Sequence, residues 1–203
     1  MNIDYIFIIT LPHRADRLQN ITTQLTQFGC KYEVFYGVNG KEIKKQYGCD
    51  NLNNGCTAAH GQIMQRAFIM GLENVLIVED DCVFSDDFKE TIANFTPPDE
   101  WDVIYLSGTH REPPAKINNT ISRCVRTLTT HAYLFNAKSP ENMWLMNDLL
   151  TKFTQPVDCF FVDMQYNGNY YVFNKPLAWQ AGGYSDVNQR DMYYDHLKDI
   201  VYE

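Results

Sequence analysis

The chain is poor in positive charge, lacks a long hydrophobic run, and has neither CxxC-paired cysteines nor a glycine-rich phosphate loop. Its 17 Lys and Arg face 25 Asp and Glu, a formal net charge of -8. A broad nucleic-acid groove needs clustered positive charge to displace counterions, and this balance argues against one. It argues equally against an electrostatic grip on anionic lipid. Near the start, the longest apolar run is residues 5–9, preceded by Asp4. A membrane helix needs ~20 apolar residues. With no basic leader before a long hydrophobic region, the expectation is a cytoplasmic protein without a transmembrane segment. Cysteines at 30, 49, 56, 82, 124 and 159 lack the density of a disulfide-stapled domain, so they read as mostly reduced, small apolar residues. Without GxxxxGK[ST] or a dinucleotide glycine loop, a P-loop NTPase or a Rossmann dehydrogenase fits poorly.

What is present is a globular composition, 45% hydrophobic and 14% aromatic over 203 residues, which fits a single cooperatively folding domain. Residues 3–10 (IDYIFIIT) are rich in β-branched and aromatic side chains and predict a buried strand. Residues 16–28 place Leu18, Ile21, Leu25 and Phe28 at three- and four-residue intervals, an amphipathic helix ended by Gly29. A second strand follows at 31–36. Helices at 56–70, 85–95 (with Ser85 as cap), 139–150 and 158–165 then alternate with strands in NVLIVED, WDVIYLS, ISRCVRT, HAYLFN and 170–173. This order predicts an α/β fold with a mostly parallel sheet flanked by helices. GTHREPPAKINNT has the glycine, prolines and polar residues of a surface loop, long enough for an acceptor-site loop or a lid.

The most informative segment is LIVEDDCVF, residues 76–84. It sets Glu79, Asp80 and Asp81 at the carboxyl edge of a buried strand, where open α/β sheets border their ligand crevice. If the strand persists, Glu79 and Asp81 share one side and Asp80 points to the other. Carboxylates so placed suit a hard cation, Mg²⁺ or Mn²⁺; the structural alternative is an acidic turn facing water. Just beyond the first strand, Arg14 and Arg17 lie three residues apart and can reach one side of the same crevice. Their structural alternative is ordinary solvation or pairing with Asp16. Together the two groups describe a diphosphate site, with arginines on one side and a cation on the other.

Taken in order, FIITLPHRADR, GCTAAH, VLIVEDD, WDVIYLSG, THAYLFN, PVD and QAGGYSDV resemble glycosyltransferase family 25, the lipopolysaccharide and collagen β-galactosyltransferase group. The resemblance covers about residues 5–187. It implies a GT-A-like fold over 1–203, with about 1–110 binding a nucleotide-sugar and about 111–203 forming a smaller acceptor-side portion. It also implies a UDP-hexose donor, a divalent metal (Mn²⁺ or Mg²⁺) and inversion at the anomeric carbon. Thr10, Leu11, Arg14 and Arg17 fall in the N-terminal donor-site motif. Glu79 and Asp80 are assigned to the donor, and Glu79 and Asp81 to the metal. Asp158 matches the aspartate of PVD, and Asp186 a late Ser-Asp pair. Family members commonly carry serine before the histidine of GCxxSH, whereas Ala59 precedes His60 here.

An inverting transfer needs a base at the acceptor hydroxyl. Asp158, a lone acid beside apolar residues in QPVDCFF, is the first choice, with Asp163 and Asp186 behind it. Helix capping is its structural alternative. His60, His131, Trp179 and Asp186 are expected to contact the acceptor or support the site; His196 is a candidate to approach the metal, with an exposed terminal histidine as its alternative, and His13 is expected to face solvent. Two other function classes fit less well. A sugar nucleotidyltransferase would need a glycine- and lysine-rich phosphate loop after the first strand. A non-catalytic carbohydrate-binding or scaffold domain leaves the acidic strand end unexplained.

Overall fold

A computed structural model describes residues 1–37, 40, 53–194 and 197–198. Cys49 and His196 lie outside the described residues. The first half builds the parallel part of a sheet: β1 (Tyr5–Thr10), α1 (Ala15–Gln27), β2 (Tyr32–Tyr36), α2 (Asn53–Ile69) and β3 (Asn74–Glu79). Both β2 and β3 pair parallel to β1. The chain then leaves the sheet through β4 (Cys82–Phe84) and α3 (Phe88–Asn94), and re-enters at β5 (Val103–Tyr105). A helix-free excursion follows, through β6 (Thr109–His110), β7 (Ala115–Lys116), β8 (Ile121–Arg123) and β9 (Thr127–Leu128), before β10 (Ala132–Asn136). The rest comprises α4 (Pro140–Thr151), α5 (Val157–Gln165), β11 (Tyr170–Phe173), β12 (Ala178–Gln180), β13 (Gly183–Ser185) and β14 (Arg190–Met192).

The main sheet has eight strands in the order β2-β1-β3-β10-β5-β11-β8-β7. It is mixed: β10 runs antiparallel to both β3 and β5, and β8 antiparallel to β11 and β7. The reason lies in the connection between β5 and β10. A parallel return requires a crossover, usually helical, whereas short strands and turns bring the chain back antiparallel. The parallel sheet expected from sequence is therefore confined to β2-β1-β3 and the β5-β11 pair.

Period-two alternation divides the core between the two faces of the sheet. Ile6, Ile8, Leu76, Val78 and Leu134 pack with Ile21 and Leu25 of α1 and with Phe88 and Ile92 of α3. Their neighbours Phe7, Ile9, Val75, Ile77 and Tyr133 pack instead with α2, α4 and α5. Burial on both faces explains why these strands read as continuous apolar runs. α3 starts later than Ser85, because that residue's amide is bound to the Leu177 carbonyl (3.0 Å) and Asp87 takes the cap position. No helix among the described residues is long and apolar enough to cross a membrane.

α2 approaches α4 closely at Gly61, where an added Cβ would stand 3.0 Å from Leu149 Cβ and 3.1 Å from Leu150 Cγ. Gly61→Leu is expected to lower stability by about 1–3 kcal/mol through overpacking. Urea unfolding of the purified variant would check it, and an unchanged midpoint would show that the two helices slide apart freely.

Candidate functional site

Strand register positions the site. Ile9 of β1 lies opposite Glu79 of β3, so both strands end at the same carboxyl edge, the usual ligand crevice of such sheets. A cleft opens there, enclosing about 1270 Å³ of space with the open solvent at its mouth included. Thr10, Leu11, Arg14, Arg17, Glu79, Asp80, Asp81, Asp158 and Asp186 all line it. The strand does not persist through the acidic triplet. β3 stops at Glu79, and Asp80-Asp81 form a turn leading into β4, which pairs with β12. All three carboxylates therefore reach the cleft, and Asp80 is not turned away as strand alternation would require.

The basic and acidic groups meet directly. The Thr10 hydroxyl donates to Asp80 Oδ2 (2.6 Å). Arg17 Nη1 donates to Asp80 Oδ1 (3.3 Å) and Asp81 Oδ2 (3.0 Å), while its Nη2 donates to the Tyr184 carbonyl (2.7 Å). Arg14 donates to the same carbonyl (3.2 Å) and to Asp186 Oδ2 (3.0 Å). His13, half-exposed rather than simply solvated, contacts Asp186 Oδ1 at 3.0 Å. The arginines thus bridge the acidic turn to the β13–β14 hairpin. Burial raises the Asp80 carboxyl above its usual range, with Thr10 and Arg17 pulling against it. Burial and then the Glu79 charge push Asp81 to about 7, with Arg17 opposing.

Behind the triplet is a second group of donors. Glu79 accepts from the Thr130 hydroxyl (3.1 Å), and its Oε1 stands 3.4 Å from His60 Nε2. Burial would raise the Glu79 carboxyl; His60, His131 and Thr130 more than offset this and hold it below its usual range. His60 is fully buried and its Nδ1 meets the Tyr133 hydroxyl at 2.7 Å. Cys56 lies one helical turn before His60, and the ligand atoms of Cys56, His60 and Glu79 all fall within 4.8 Å of one another. These three residues are able to hold a metal ion. Burial, reinforced by Glu79, Asp158 and Asp81, holds the Cys56 thiol well above its ordinary range. The ring of His60 stacks on Tyr133 (centroids 5.7 Å apart), and Tyr133 meets Phe161 of α5 edge-on at 5.1 Å.

The hard cation expected at the acidic triplet can be tested against the donors present. Asp81 Oδ1 is buried with no hydrogen-bond partner among the described residues, an orphaned acceptor of the kind a cation satisfies. Both Asp80 oxygens are engaged by Thr10 and Arg17. Asp81 together with Glu79 therefore fits a hard divalent ion better than Asp80 does.

Other expected residues fall elsewhere. Asp158 sits in the first turn of α5, facing the cleft. Asp163, on the same helix, is exposed, accepts from Gln155 Nε2 (2.7 Å) and borders a separate depression. Five helical residues rotate a side chain by about 140°, which removes Asp163 as an alternative base. His131 is buried beneath the cleft with Nε2 3.3 Å from the Ala178 carbonyl, and burial lowers it below the usual histidine range. Trp179 does not line the cleft: alternation along β12 sends Gln180 inward and Trp179 away, under the Lys198 ammonium at 5.6 Å. Sequence reading missed Cys56, Thr130, Gln180 and Tyr194. Only Cys56 left a usable signal, its four-residue spacing from His60.

Residues 3–155 match the model for glycosyltransferase family 25 (LPS biosynthesis protein). The "Probable inactive glycosyltransferase 25 family member 3" of Rattus norvegicus is 26% identical over 141 residues, 58% of this chain and 25% of that protein. "Procollagen galactosyltransferase 2" of Mus musculus is 22% identical over 149 residues, 60% of this chain and 24% of that protein. The matched region is thus about a quarter of the length of these relatives. Among solved structures, a glycosyltransferase involved in glycosylation of the major capsid of PBCV-1 superposes with a TM-score of 0.51 at 10% identity. It covers 83% of this chain and 80% of its own. The fold is GT-A-like, and Asp158 and Asp186 lie beyond the residues matched to the family.

Proposed function

The chain belongs to glycosyltransferase family 25, and from that premise we propose that it moves a hexose, galactose or glucose, from a UDP-sugar to a hydroxyl of a glycan or glycosylated acceptor. The observation that carries the reading is the convergence, in one cleft, of residues from position 10 to position 186. Among the described lining residues, Arg14 and Arg17 face the five carboxylates Glu79, Asp80, Asp81, Asp158 and Asp186. A surface this acidic repels a diphosphate unless positive charge is added. Bound Mn²⁺ or Mg²⁺ supplies that charge to the leaving diphosphate, and Asp81 and Glu79 are the residues that would hold it.

The chain's own groups divide the remaining work. Arg17 and Arg14 exchange their bonds to Asp81, Asp80 and Asp186 for phosphate oxygens, one set of charge-assisted contacts replacing another. Thr10 fixes Asp80, which holds Arg17 at the mouth of the cleft until the donor arrives. Asp158, on the acceptor side formed by the second half of the chain, takes the proton of the acceptor hydroxyl as its oxygen bonds to the anomeric carbon. The bond from that carbon to the diphosphate breaks, and UDP departs with the electron pair. Attack from the face opposite the leaving group inverts the carbon.

Turnover of UDP-galactose and UDP-glucose with Mn²⁺ and with chelator tests the reading. Released UDP and transferred sugar are expected, with a strong fall on chelation; turnover unchanged by exhaustive chelation would remove the metal from the proposal. Pyrophosphate as the product would instead identify a nucleotidyltransferase. A second reading, a domain that binds donor without transferring it, draws on the ion pairs that already occupy both arginines. Donor binding with no turnover on any acceptor would favour it.

A further inference from the structure

We propose that Cys56, His60 and Glu79 form a binding site for a borderline-soft divalent metal, Zn²⁺ in the first instance, which adjoins the hard-cation position at Asp81, shares Glu79 with it and differs from it by its sulfur and nitrogen donors. Thiolate and imidazole select zinc-like ions, whereas Mn²⁺ and Mg²⁺ take carboxylate and water oxygen. The three donors come from two elements. Cys56 and His60 are four residues apart on α2 and so project from one face of that helix, and Glu79 ends β3 beneath them.

Two features of one nitrogen point to a ligand here. His60 is completely buried, yet its Nε2 has no hydrogen-bond partner among the described residues. A buried polar atom without a well-formed hydrogen bond is costly, and a metal bond would satisfy it. Its separation from Glu79 Oε1 is 3.4 Å. Bonds of ~2.0–2.1 Å at a tetrahedral angle hold two zinc ligands roughly 3.3–3.4 Å apart, so the pair already stands at ligand spacing.

The surroundings complete the arrangement. Histidine ligands characteristically use their second nitrogen to contact an orienting group, and Nδ1 of His60 meets the Tyr133 hydroxyl at 2.7 Å. Cys56 and Glu79 border the cleft while His60 lies behind them. A metal there would have three protein ligands and a fourth position toward the cleft, the pattern that leaves room for water or a substrate oxygen. On binding, the Cys56 sulfur gives up its proton to solvent and the His60 nitrogen contributes its lone pair. The apolar reading of Cys56 from sequence alone thereby gives way to a metal-ligating one.

The site shares Glu79 with the hard-cation position, but it can be tested without sugar transfer. Co²⁺ added to chelator-treated protein is expected to give the near-ultraviolet charge-transfer band of a thiolate–Co²⁺ bond, displaced by Zn²⁺. Cys56→Ser should abolish the band. Cys30→Ser and Asp81→Asn should keep it, the first because Cys30 lies across the sheet, the second because Asp81 belongs to the hard-cation position. X-ray absorption of Zn²⁺-loaded wild type needs no variant and should show one sulfur near ~2.3 Å and one imidazole nitrogen near ~2.0–2.1 Å. An all-oxygen shell, a missing Co²⁺ band, or a band that survives Cys56→Ser would overturn the proposal.

Discussion

Asp158→Asn is expected to lower sugar transfer by about 10²–10⁴-fold, the usual contribution of a general base, while the metal–UDP complex still forms. The substitution keeps the size of the side chain and its place in the first turn of α5, so the helix and cleft wall should persist. Donor binding does not require a base for the acceptor. Calorimetry with Mn²⁺ and UDP, followed by transfer assays at saturating donor and acceptor, would separate the two steps. Wild-type transfer by the folded variant would pass the role to Asp186, which lines the same cleft but is held by Arg14 and His13. Asp163 is no longer a contender, because it faces another depression.

Asp81→Asn is expected to fail in the opposite way: metal-dependent donor binding and turnover fall together, and the chelator-treated variant is at least as stable as wild type. Burial and the Glu79 charge disfavour an ionised Asp81, so an amide of equal size removes repulsion without opening a cavity, and its oxygen can still accept from Arg17. Surplus stability exchanged for activity is the mark of a functional carboxylate rather than a structural one. Thermal melts in chelator and Mn²⁺–UDP titrations would check it. A variant that melts well below wild type while binding Mn²⁺–UDP normally would make Asp81 a structural acid.

How much of this was legible in the sequence varies by distance along the chain. The Arg14–Arg17 spacing and the acidic end of an apolar strand are local features, and both groups line the cleft. Strand and helix positions were local as well, because sheet burial on both faces leaves unbroken apolar runs. The direction of β10 was not, since a loop-rich excursion and a helical crossover look alike until pairing is known. The turn at Asp80-Asp81 escaped alternation for the same reason: β4 departs to pair with β12, nearly a hundred residues later. The Cys56–His60–Glu79 group needed the β1–β3 register and the seat of α2 on the sheet, neither of which spacing reports. Trp179, expected to contact the acceptor or support the site, sits one residue of alternation away from the cleft, and it is Gln180 that lines it.

The ring contacts behind the cleft and the ion pairs across it give its two sides different mechanical characters. On one side, His60, Tyr133 and Phe161 interlock, joining α2, β10 and α5 so that Asp158 and Glu79 share a rigid foundation. Packed rings cannot shift singly, because the interior has no spare volume to receive them. On the other side, the β13–β14 hairpin is fastened to α1 by arginine bonds to the Tyr184 carbonyl and to Asp186. Such bonds can change partners one at a time. The cleft is therefore built like a vice with one fixed jaw and one yielding jaw, and a strongly anionic visitor loosens the yielding jaw by the same contacts that seat it.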